Sequence, residues 1–201
     1  MRQTVPLILA SQSAARLALL RGAGLAVEPR PAHIDEAAVK HAARAEGAPA
    51  RDAALLLAEM KAARVGRREP GALVIAADQM LVCDGAWFDK PADPAAARTQ
   101  LLALRGRRHE LVTAVLCWRG DGPVWRHVEA PRLTMRDFSD AFLDAYLVAE
   151  GDAVLASVGA YRLEGPGAQL FDRVEGDYFS VLGLPLLPLL GYLRQTGAIG
   201  G

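Results

Sequence analysis

Short apolar segments alternate with polar and glycine-containing turns along most of the chain, and this pattern predicts both strands and helices. Helix starts are indicated by Ser, Asp or Pro ahead of a periodic segment, and helix ends by glycine. The predicted helices run from Ser13 to about Arg21, from Asp52 to about Arg68, from Asp93 to Gly106, from Ser139 to Gly151, and onward from Pro185. The predicted strands are Val5–Ala10, Leu25–Pro31, Leu73–Ala77, Gln79–Cys83, Ala86–Phe88, His109–Trp118, Val124–Met135, Ala160–Leu163, Gln169–Val174 and Tyr178–Leu182.

The order of these elements predicts the fold class. Asp84-Gly85 and Asp121-Gly122 are favoured turn pairs and indicate two hairpins. Elsewhere strands and helices alternate, which is typical of crossover connections. A chain that mixes hairpins with crossovers predicts a mixed central sheet flanked by helices, an α/β or α+β architecture. Residues 1–201 are expected to form a single domain.

Composition limits the partners. Apolar residues make up 52% of the 201 residues, and 23 basic residues balance 23 acidic ones. This neutral balance gives no support for a nucleic-acid or membrane partner. The longest apolar stretch, Tyr178–Leu193, is shorter than the roughly 20 residues of a membrane span and contains prolines. Cys83 and Cys117 lie inside apolar runs and are expected in the core, and such low cysteine use favours the cytoplasm.

The first segment that could carry chemistry is Ala10-Ser11-Gln12-Ser13-Ala14-Ala15-Arg16. A strand enters a helix here, and a helix N-terminus presents free N–H groups and partial positive charge to phosphate. Ser11 and Ser13 add hydroxyls, and Arg16 adds a permanent positive charge. The alternative is a plain capped helix with a surface arginine.

Carboxylates form the second candidate. Asp78 follows a buried strand, at an end where α/β sheets usually bind ligands, and there it could bind a divalent metal or accept a proton from water. Glu36, in Ile34-Asp35-Glu36, could share that metal, since Mg²⁺ takes oxygen ligands. A turn aspartate and an exposed acidic loop are the respective alternatives.

Three further positions suit a nucleotide. Lys61 and Lys90 could neutralise phosphate charge, although most lysines are solvated surface residues. Glu164 lies in a glycine-bracketed loop, where a carboxylate could accept hydrogen bonds from the N1–H and 2-amino group of guanine. An ordinary loop with turn glycines is the alternative.

These segments together resemble the Maf family of nucleotide pyrophosphatases, in order from about residue 7 to 195. The segments that carry the resemblance are Leu7-Ile8-Leu9-Ala10-Ser11-Gln12-Ser13 with Arg16, Ile34-Asp35-Glu36, Lys61, Ala77-Asp78, Lys90-Pro91, Leu104-Arg105-Gly106-Arg107-Arg108-His109, Val112-Thr113, Gly159-Ala160-Tyr161, Glu175-Gly176-Asp177-Tyr178 and Val181-Leu182-Gly183-Leu184-Pro185.

The resemblance implies a long central sheet in two lobes with a cleft, similar to the inosine-triphosphate pyrophosphatase class. It also implies hydrolysis of a nucleoside triphosphate to monophosphate and pyrophosphate, a divalent metal (Mg²⁺ or Mn²⁺), and a homodimer. By position, Asp78 matches the family's catalytic acidic residue. The substrate- and metal-handling positions are matched by Ser11, Arg16, Glu36, Lys61 and Lys90.

The chain departs from the family's first motif, because Ala14 and Ala15 stand where Pro and Arg or Trp are usual. Ala15, Gln79 and Glu164 occupy three positions that follow substrate choice in the family. They resemble the branch that acts on 7-methyl-GTP more than the branch that acts on dTTP and UTP. The alternatives are a nucleotide-binding regulator of cell division with weak or no catalysis, and a sugar-phosphate phosphatase.

Overall fold

A computed structural model describes residues 2–200. The strands are β1 (Leu7–Leu9), β2 (Val27–Pro29), β3 (Leu73–Cys83), β4 (Ala86–Phe88), β5 (Arg108–Arg119), β6 (Gly122–Glu129), β7 (Arg132–Met135) and β8 (Phe171–Glu175). The helices are α1 (Ala14–Gly22), α2 (Glu36–Ala45), α3 (Ala50–Gly66), α4 (Pro94–Leu104), α5 (Asp140–Glu150), α6 (Tyr178–Val181) and α7 (Leu186–Gln195). Short 3₁₀ segments cover Gly151–Ala156, Val158–Ala160 and Pro166–Leu170.

The described strands form a mixed sheet in the order β2-β1-β3-β5-β7-β8, with β4 paired to β3 and β6 to β5. β1 runs parallel to both β2 and β3. β3 pairs antiparallel with β4, β5 with both β6 and β7, and β7 with β8. The predicted mixed α/β sheet is therefore confirmed, and so is the hairpin at Asp84-Gly85. None of the helices between residues 2 and 200 is long and apolar enough to cross a membrane.

The chain divides into two compact units. The first contains the chain up to Asp78, Thr113–Glu129 and the chain from Gly183 onward. The second contains Gln79–Val112 and Ala130–Leu182, and the long strands β3 and β5 contribute residues to both units. Two units agree with the two lobes that the resemblance implies. The cleft and the single domain over residues 1–201 stay predictions.

In the first unit, the fully buried strand β1 positions the start of α1. Leu7, Ile8 and Leu9 are all buried, and the chain leaves β1 directly for α1. The Ser13 side chain caps α1 by accepting a hydrogen bond from the Arg16 backbone N–H at 3.3 Å, as the sequence predicts. The N-caps Asp93 of α4 and Ser139 of α5 were also predicted correctly, because a cap is a local signal.

The prediction that a strand ends at Asp78 was wrong. β3 continues through Asp78 as one strand of 11 residues, and its side chains are buried on both faces except at two partly buried positions. A charged residue inside such a strand is costly unless its charge is compensated. Lys61 supplies that compensation, and the contact is invisible to a local sequence pattern.

Two helices were missed. The sequence analysis predicts no helix after Asp35 and offers an exposed acidic loop as one alternative there. In the structure Asp35 caps α2 by accepting from the Ala38 N–H at 3.0 Å, and an alanine-rich helix follows. Tyr178–Leu182 was predicted as a strand, but Asp177 accepts from the Ser180 N–H at 2.7 Å and starts α6. Here a local cap overrides the strand preference of the aromatic residues.

Three other predicted elements differ from the structure. Ala160–Leu163 is not a strand, because Gly159 and Ala160 adopt positive φ angles of 80° and 59° in a tight 3₁₀ turn. The predicted strand Val124–Met135 is two strands, β6 and β7, which both pair with β5. α3 begins at Ala50 after Pro49, so Asp52 lies in its first turn and is not its cap.

A histidine lies in the apolar core of the second unit. His109 is 1% exposed, and its ring packs against the rings of Tyr161 and Phe171 with centroids 5.6 and 6.0 Å away. Nε2 lies 2.8 Å from the Tyr161 hydroxyl, while the buried Nδ1 has no hydrogen-bond partner in the described chain. A protonated ring would bury an unsatisfied N–H, and burial lowers the pKa of His109 to about 4.

This burial predicts a loss of stability in acid. The folded-state pKa of about 4 lies below the value near 6.5 of an unfolded histidine, so below pH 6.5 the unfolded chain takes up a proton that the folded chain does not. The free energy of unfolding should therefore fall by roughly 3 kcal/mol between pH 6.5 and 4 through this residue. Urea unfolding of His109→Gln, measured across that range, should show a correspondingly weaker pH dependence. The exposed His41→Gln is the control and should keep the original slope.

Candidate functional site

Hydrogen bonds of the Ser11 and Ser13 side chains stabilise the turn between β1 and α1. The Ser11 hydroxyl accepts hydrogen bonds from the Ser13 N–H at 3.1 Å and from Arg16 Nη1 at 3.3 Å. The Ser13 hydroxyl accepts from the Arg16 N–H. A hydroxyl that accepts keeps its own proton to donate, so both serines can still give a hydrogen bond to a phosphate oxygen. Ala15, beside them on α1, contributes a half-buried methyl group and no polar atom.

Arg16 lies in the first turn of α1, and hydrogen bonds within the protein fix its guanidinium. Nε donates to the Gly183 carbonyl at 2.7 Å. Burial lowers the pKa of Arg16 below its usual range, while the negative charges of Asp78 and Glu36 act to raise it. Arg16 therefore lies within electrostatic reach of both carboxylates.

Lys61 joins those two carboxylates. Its Nζ lies 2.5 Å from Asp78 Oδ1 and 2.7 Å from Glu36 Oε1. The side chains of Lys61 and Asp78 are 9% and 5% exposed, whereas that of Glu36 is 45% exposed. The cluster thus has a buried end on β3 and α3 and an open end at the start of α2.

One oxygen of this cluster is left unsatisfied. Asp78 Oδ2 is buried and has no hydrogen-bond partner among residues 2–200. Buried polar atoms are nearly always paired, so an orphaned carboxylate oxygen suits a partner that the chain does not provide, such as a cation or a water.

The structure therefore brings together, in the first unit, six residues singled out from the sequence: Ser11, Ser13, Arg16, Glu36, Lys61 and Asp78. Five parts of the fold supply them, namely the β1–α1 turn, the first turn of α1, the start of α2, the inner face of α3 and the middle of β3. Their roles in chemistry stay predictions.

Three other residues singled out from the sequence, Gln79, Lys90 and Glu164, belong to the second unit. Gln79 donates from Nε2 to the carbonyls of Ser180 and Val181 at 2.9 and 3.1 Å. Lys90 is exposed just past β4. Glu164 is partly exposed and lies 3.5 Å from Arg162 Nε. The second unit thus holds Gln79 rigidly against α6 and leaves the other two near solvent.

One residue of this site had no role in the sequence reasoning. Gly183 lies in the matched run Val181–Pro185, but only the structure shows that its carbonyl accepts from Arg16. The available signal in the sequence was a glycine between two leucines, and it did not identify a partner. The structure adds that this glycine has a positive φ, a conformation that side chains disfavour.

The protein's donor set for a metal is small. In the described part of the chain no group of three or more His, Cys, Asp or Glu side chains is arranged to hold an ion. Mg²⁺ is usually bound by one or two carboxylates together with substrate phosphates and water. Asp78, with its orphaned oxygen, and the half-open Glu36 fit that mode of binding and do not fit an all-protein metal cage.

A pocket elsewhere in the first unit is not lined by the charged cluster. A pocket of about 680 Å³ lies along the edge strand β2 and is lined largely by apolar residues such as Pro6, Leu25 and Val27. The charged cluster contributes nothing to it, so the candidate site rests on side-chain contacts and not on cavity size.

The chain is 58% identical over 193 residues to a nucleoside triphosphate pyrophosphatase of Granulibacter bethesdensis, covering 96% of this chain and 98% of the relative. It is 51% identical to a 7-methyl-GTP pyrophosphatase of Rhizobium meliloti, covering 96% of this chain and 97% of the relative.

A solved structure, that of a nucleoside-triphosphatase / dITP/XTP pyrophosphatase from Mycobacterium abscessus, matches 75% of this chain and 96% of its own, with 18% identity and a TM-score of 0.35. That score is too low to support an inference, and the similarity to the inosine-triphosphate pyrophosphatase class stays a prediction. The family described as Maf-like protein matches residues 6–196, which is nearly the whole chain. The chain belongs to the Maf family.

Proposed function

We propose that this chain hydrolyses a nucleoside triphosphate between its α- and β-phosphates, releasing a nucleoside monophosphate and pyrophosphate. Membership of the Maf family and relatives named as nucleoside triphosphate pyrophosphatases make it a hydrolase of phosphoanhydrides. The single observation that carries the proposal is the buried Lys61–Asp78 pair, which touches Glu36 and lies within electrostatic reach of Arg16.

The positive groups bind and orient the triphosphate. Arg16, the Ser11 and Ser13 hydroxyls and the N-terminus of α1 all belong to one turn, and that combination is suited to phosphate oxygens. Because the guanidinium and the serines are already fixed by internal hydrogen bonds, little reorganisation is needed when a substrate binds. Lys61, and by proposal Lys90, offset the charge that develops on the departing pyrophosphate.

Asp78 directs the nucleophile. We assign its orphaned Oδ2 to the attacking water, which it orients toward the α-phosphorus and whose proton it accepts. Lys61 holds the other oxygen and so fixes the rotation of the carboxylate. Oδ2 has a second lone pair besides the one that accepts from the water, and through it Asp78, together with Glu36, would hold a divalent cation. That cation, Mg²⁺ or Mn²⁺, would supply a Lewis acid beside the phosphates.

Removing the Asp78 charge tests this assignment. Asp78→Asn should lower kcat by at least about 100-fold, since removal of one such group typically costs ~2–4 kcal/mol of transition-state stabilisation. Asp121→Asn, in an exposed turn, is the matched control and should retain full turnover. Pyrophosphate release and circular dichroism are measured on both variants. Near-normal turnover of a folded Asp78→Asn protein would refute the role.

The metal proposal has a test that does not depend on turnover. Lys61 Nζ is a cation already placed between the two carboxylates, so it should compete with an added divalent ion. Lys61→Gln should bind Mn²⁺ about tenfold more tightly than the parent by electron paramagnetic resonance, a difference of about 1.4 kcal/mol. Asp78→Asn should bind it more weakly.

Arg67→Gln, exposed beyond the end of α3, controls for the loss of a nearby surface charge and should leave Mn²⁺ affinity unchanged. A Mn²⁺ affinity that none of these variants alters would place the ion elsewhere. Chelation of divalent ions from the parent protein should also abolish pyrophosphate release.

For substrate choice, we propose a modified guanine nucleotide such as 7-methyl-GTP. The resemblance at Ala15, Gln79 and Glu164 supports it, as does a curated relative named for that activity. Glu164 is partly exposed and could accept from the N1–H and 2-amino group of the base. A base without these two donors would leave the Glu164 carboxylate without its hydrogen bonds and would therefore bind less tightly than guanine.

A panel of 7-methyl-GTP, GTP, dTTP and UTP tests this proposal. Pyrophosphate should be the product, with the highest kcat/KM for 7-methyl-GTP, and Glu164→Gln should reduce that preference by roughly tenfold. Orthophosphate as the product would indicate a phosphatase instead. Tight nucleotide binding without any phosphate product would favour the regulator of cell division.

Location and assembly are also proposals. The cytoplasm is favoured by two cysteines that are both free and buried. A homodimer is implied by the family resemblance alone, and light scattering of the purified protein would test it.

A further inference from the structure

The Arg16 guanidinium is held on one edge and open on another. Nε donates to the Gly183 carbonyl at 2.7 Å, and Nη1 donates to the Ser11 hydroxyl at 3.3 Å. Within residues 2–200, Nη2 donates no hydrogen bond. The two internal contacts therefore fix the plane of the guanidinium and leave donors of Nη2 for a ligand.

Gly183 can make this contact because it has no side chain. Its φ angle is +95°, a region that residues with a Cβ rarely adopt. A Cβ at this position would lie 3.3 Å from Arg16 Nε and 3.5 Å from Nη2. The backbone of Gly183 thus lies directly along the guanidinium edge, and any side chain would push Arg16 away from it.

We propose that Gly183 is a positioning residue for the reaction, whose carbonyl and missing side chain together set the direction in which Arg16 presents its free donors to the triphosphate. This inference rests on the proposed function of the Arg16 site. Arg16 and Gly183 are 167 residues apart in sequence, so this contact links the segment that precedes α7 to the first turn of α1. A guanidinium fixed in advance binds phosphate without first losing the rotamer freedom of a long side chain.

Gly183→Ala tests the proposal against a closely matched control. Gly197 also has a positive φ, +70°, and its carbonyl also accepts a side-chain hydrogen bond, from Thr4 at 2.7 Å. A Cβ at Gly197 would meet nothing within 4 Å. Both alanine variants should lose a few degrees of melting temperature, but only Gly183→Ala should lower kcat/KM for pyrophosphate release, by tenfold or more, with a rise in KM.

A double-mutant cycle separates positioning from general damage. If Gly183 acts through Arg16, Gly183→Ala should change kcat/KM less than twofold in an Arg16→Ala background. Multiplication of the two single effects would overturn the proposal. Should Gly183→Ala fail to fold, Gly183→Asn replaces it, because asparagine tolerates positive φ while keeping the Cβ contact.

A spectroscopic measurement keeps the inference independent of catalysis. The Arg16 Nε–H signal, identified by its loss in Arg16→Lys, should be slow to exchange with solvent in the parent and in Gly197→Ala, and fast in Gly183→Ala. A parent signal that exchanges rapidly would overturn the positioning role even if the enzyme is active. Absence of pyrophosphate release from the parent with a protected signal would instead refute the proposed function alone.

Discussion

The buried ion pair between Lys61 and Asp78 is the interaction on which the site depends. Asp78 lies inside a strand whose neighbours Ala76 and Ala77 are fully buried, and such a carboxylate is stable only if it is paired. A buried pair seldom contributes much net stability, since desolvation of both ions offsets their attraction. The pair therefore adds little net stability to the first unit, which supports the catalytic role proposed for Asp78.

The charges of this cluster also explain why a bound triphosphate would need positive charge from a group that the chain does not supply. Arg16 and Lys61 carry positive charge, and Asp78 and Glu36 carry negative charge, so the four groups largely balance one another. A triphosphate would bring more negative charge than such a balanced cluster can offset. The N-terminus of α1 adds partial positive charge, and a divalent cation at the carboxylates would add the rest.

Local signals were predictable from the sequence, and contacts between distant segments were not. The caps Ser13, Asp93 and Ser139 depend on neighbours three residues away, and all three were predicted correctly. The continuation of β3 through Asp78 depends on Lys61, 17 residues earlier on another element. The mistaken strand at Tyr178–Leu182 shows the opposite case, in which a local cap at Asp177 starts a helix despite the strand preference of aromatic residues.

The site residues follow the same division. Residue type and an adjacent strand or helix start were enough to single out Ser11, Arg16 and Asp78. Nothing in the sequence could reveal that a backbone carbonyl at Gly183 accepts from Arg16, because a carbonyl carries no residue-specific signal.

Substrate choice has to come from outside the charged cluster. Two relatives, at 58% and 51% identity, are named nucleoside triphosphate pyrophosphatase and 7-methyl-GTP pyrophosphatase. Both names describe the same reaction at the phosphates and differ only in the nucleotide. Groups that grip phosphates cannot distinguish one base from another, since every nucleotide presents the same phosphates. Discrimination between bases therefore requires other donors and acceptors, and Gln79 is one of the positions proposed above to follow substrate choice. In the second unit, two backbone carbonyls of α6 fix the Gln79 amide. Asp177 in turn fixes α6 by capping it, so the direction of the Gln79 side chain depends on a carboxylate 98 residues away in sequence.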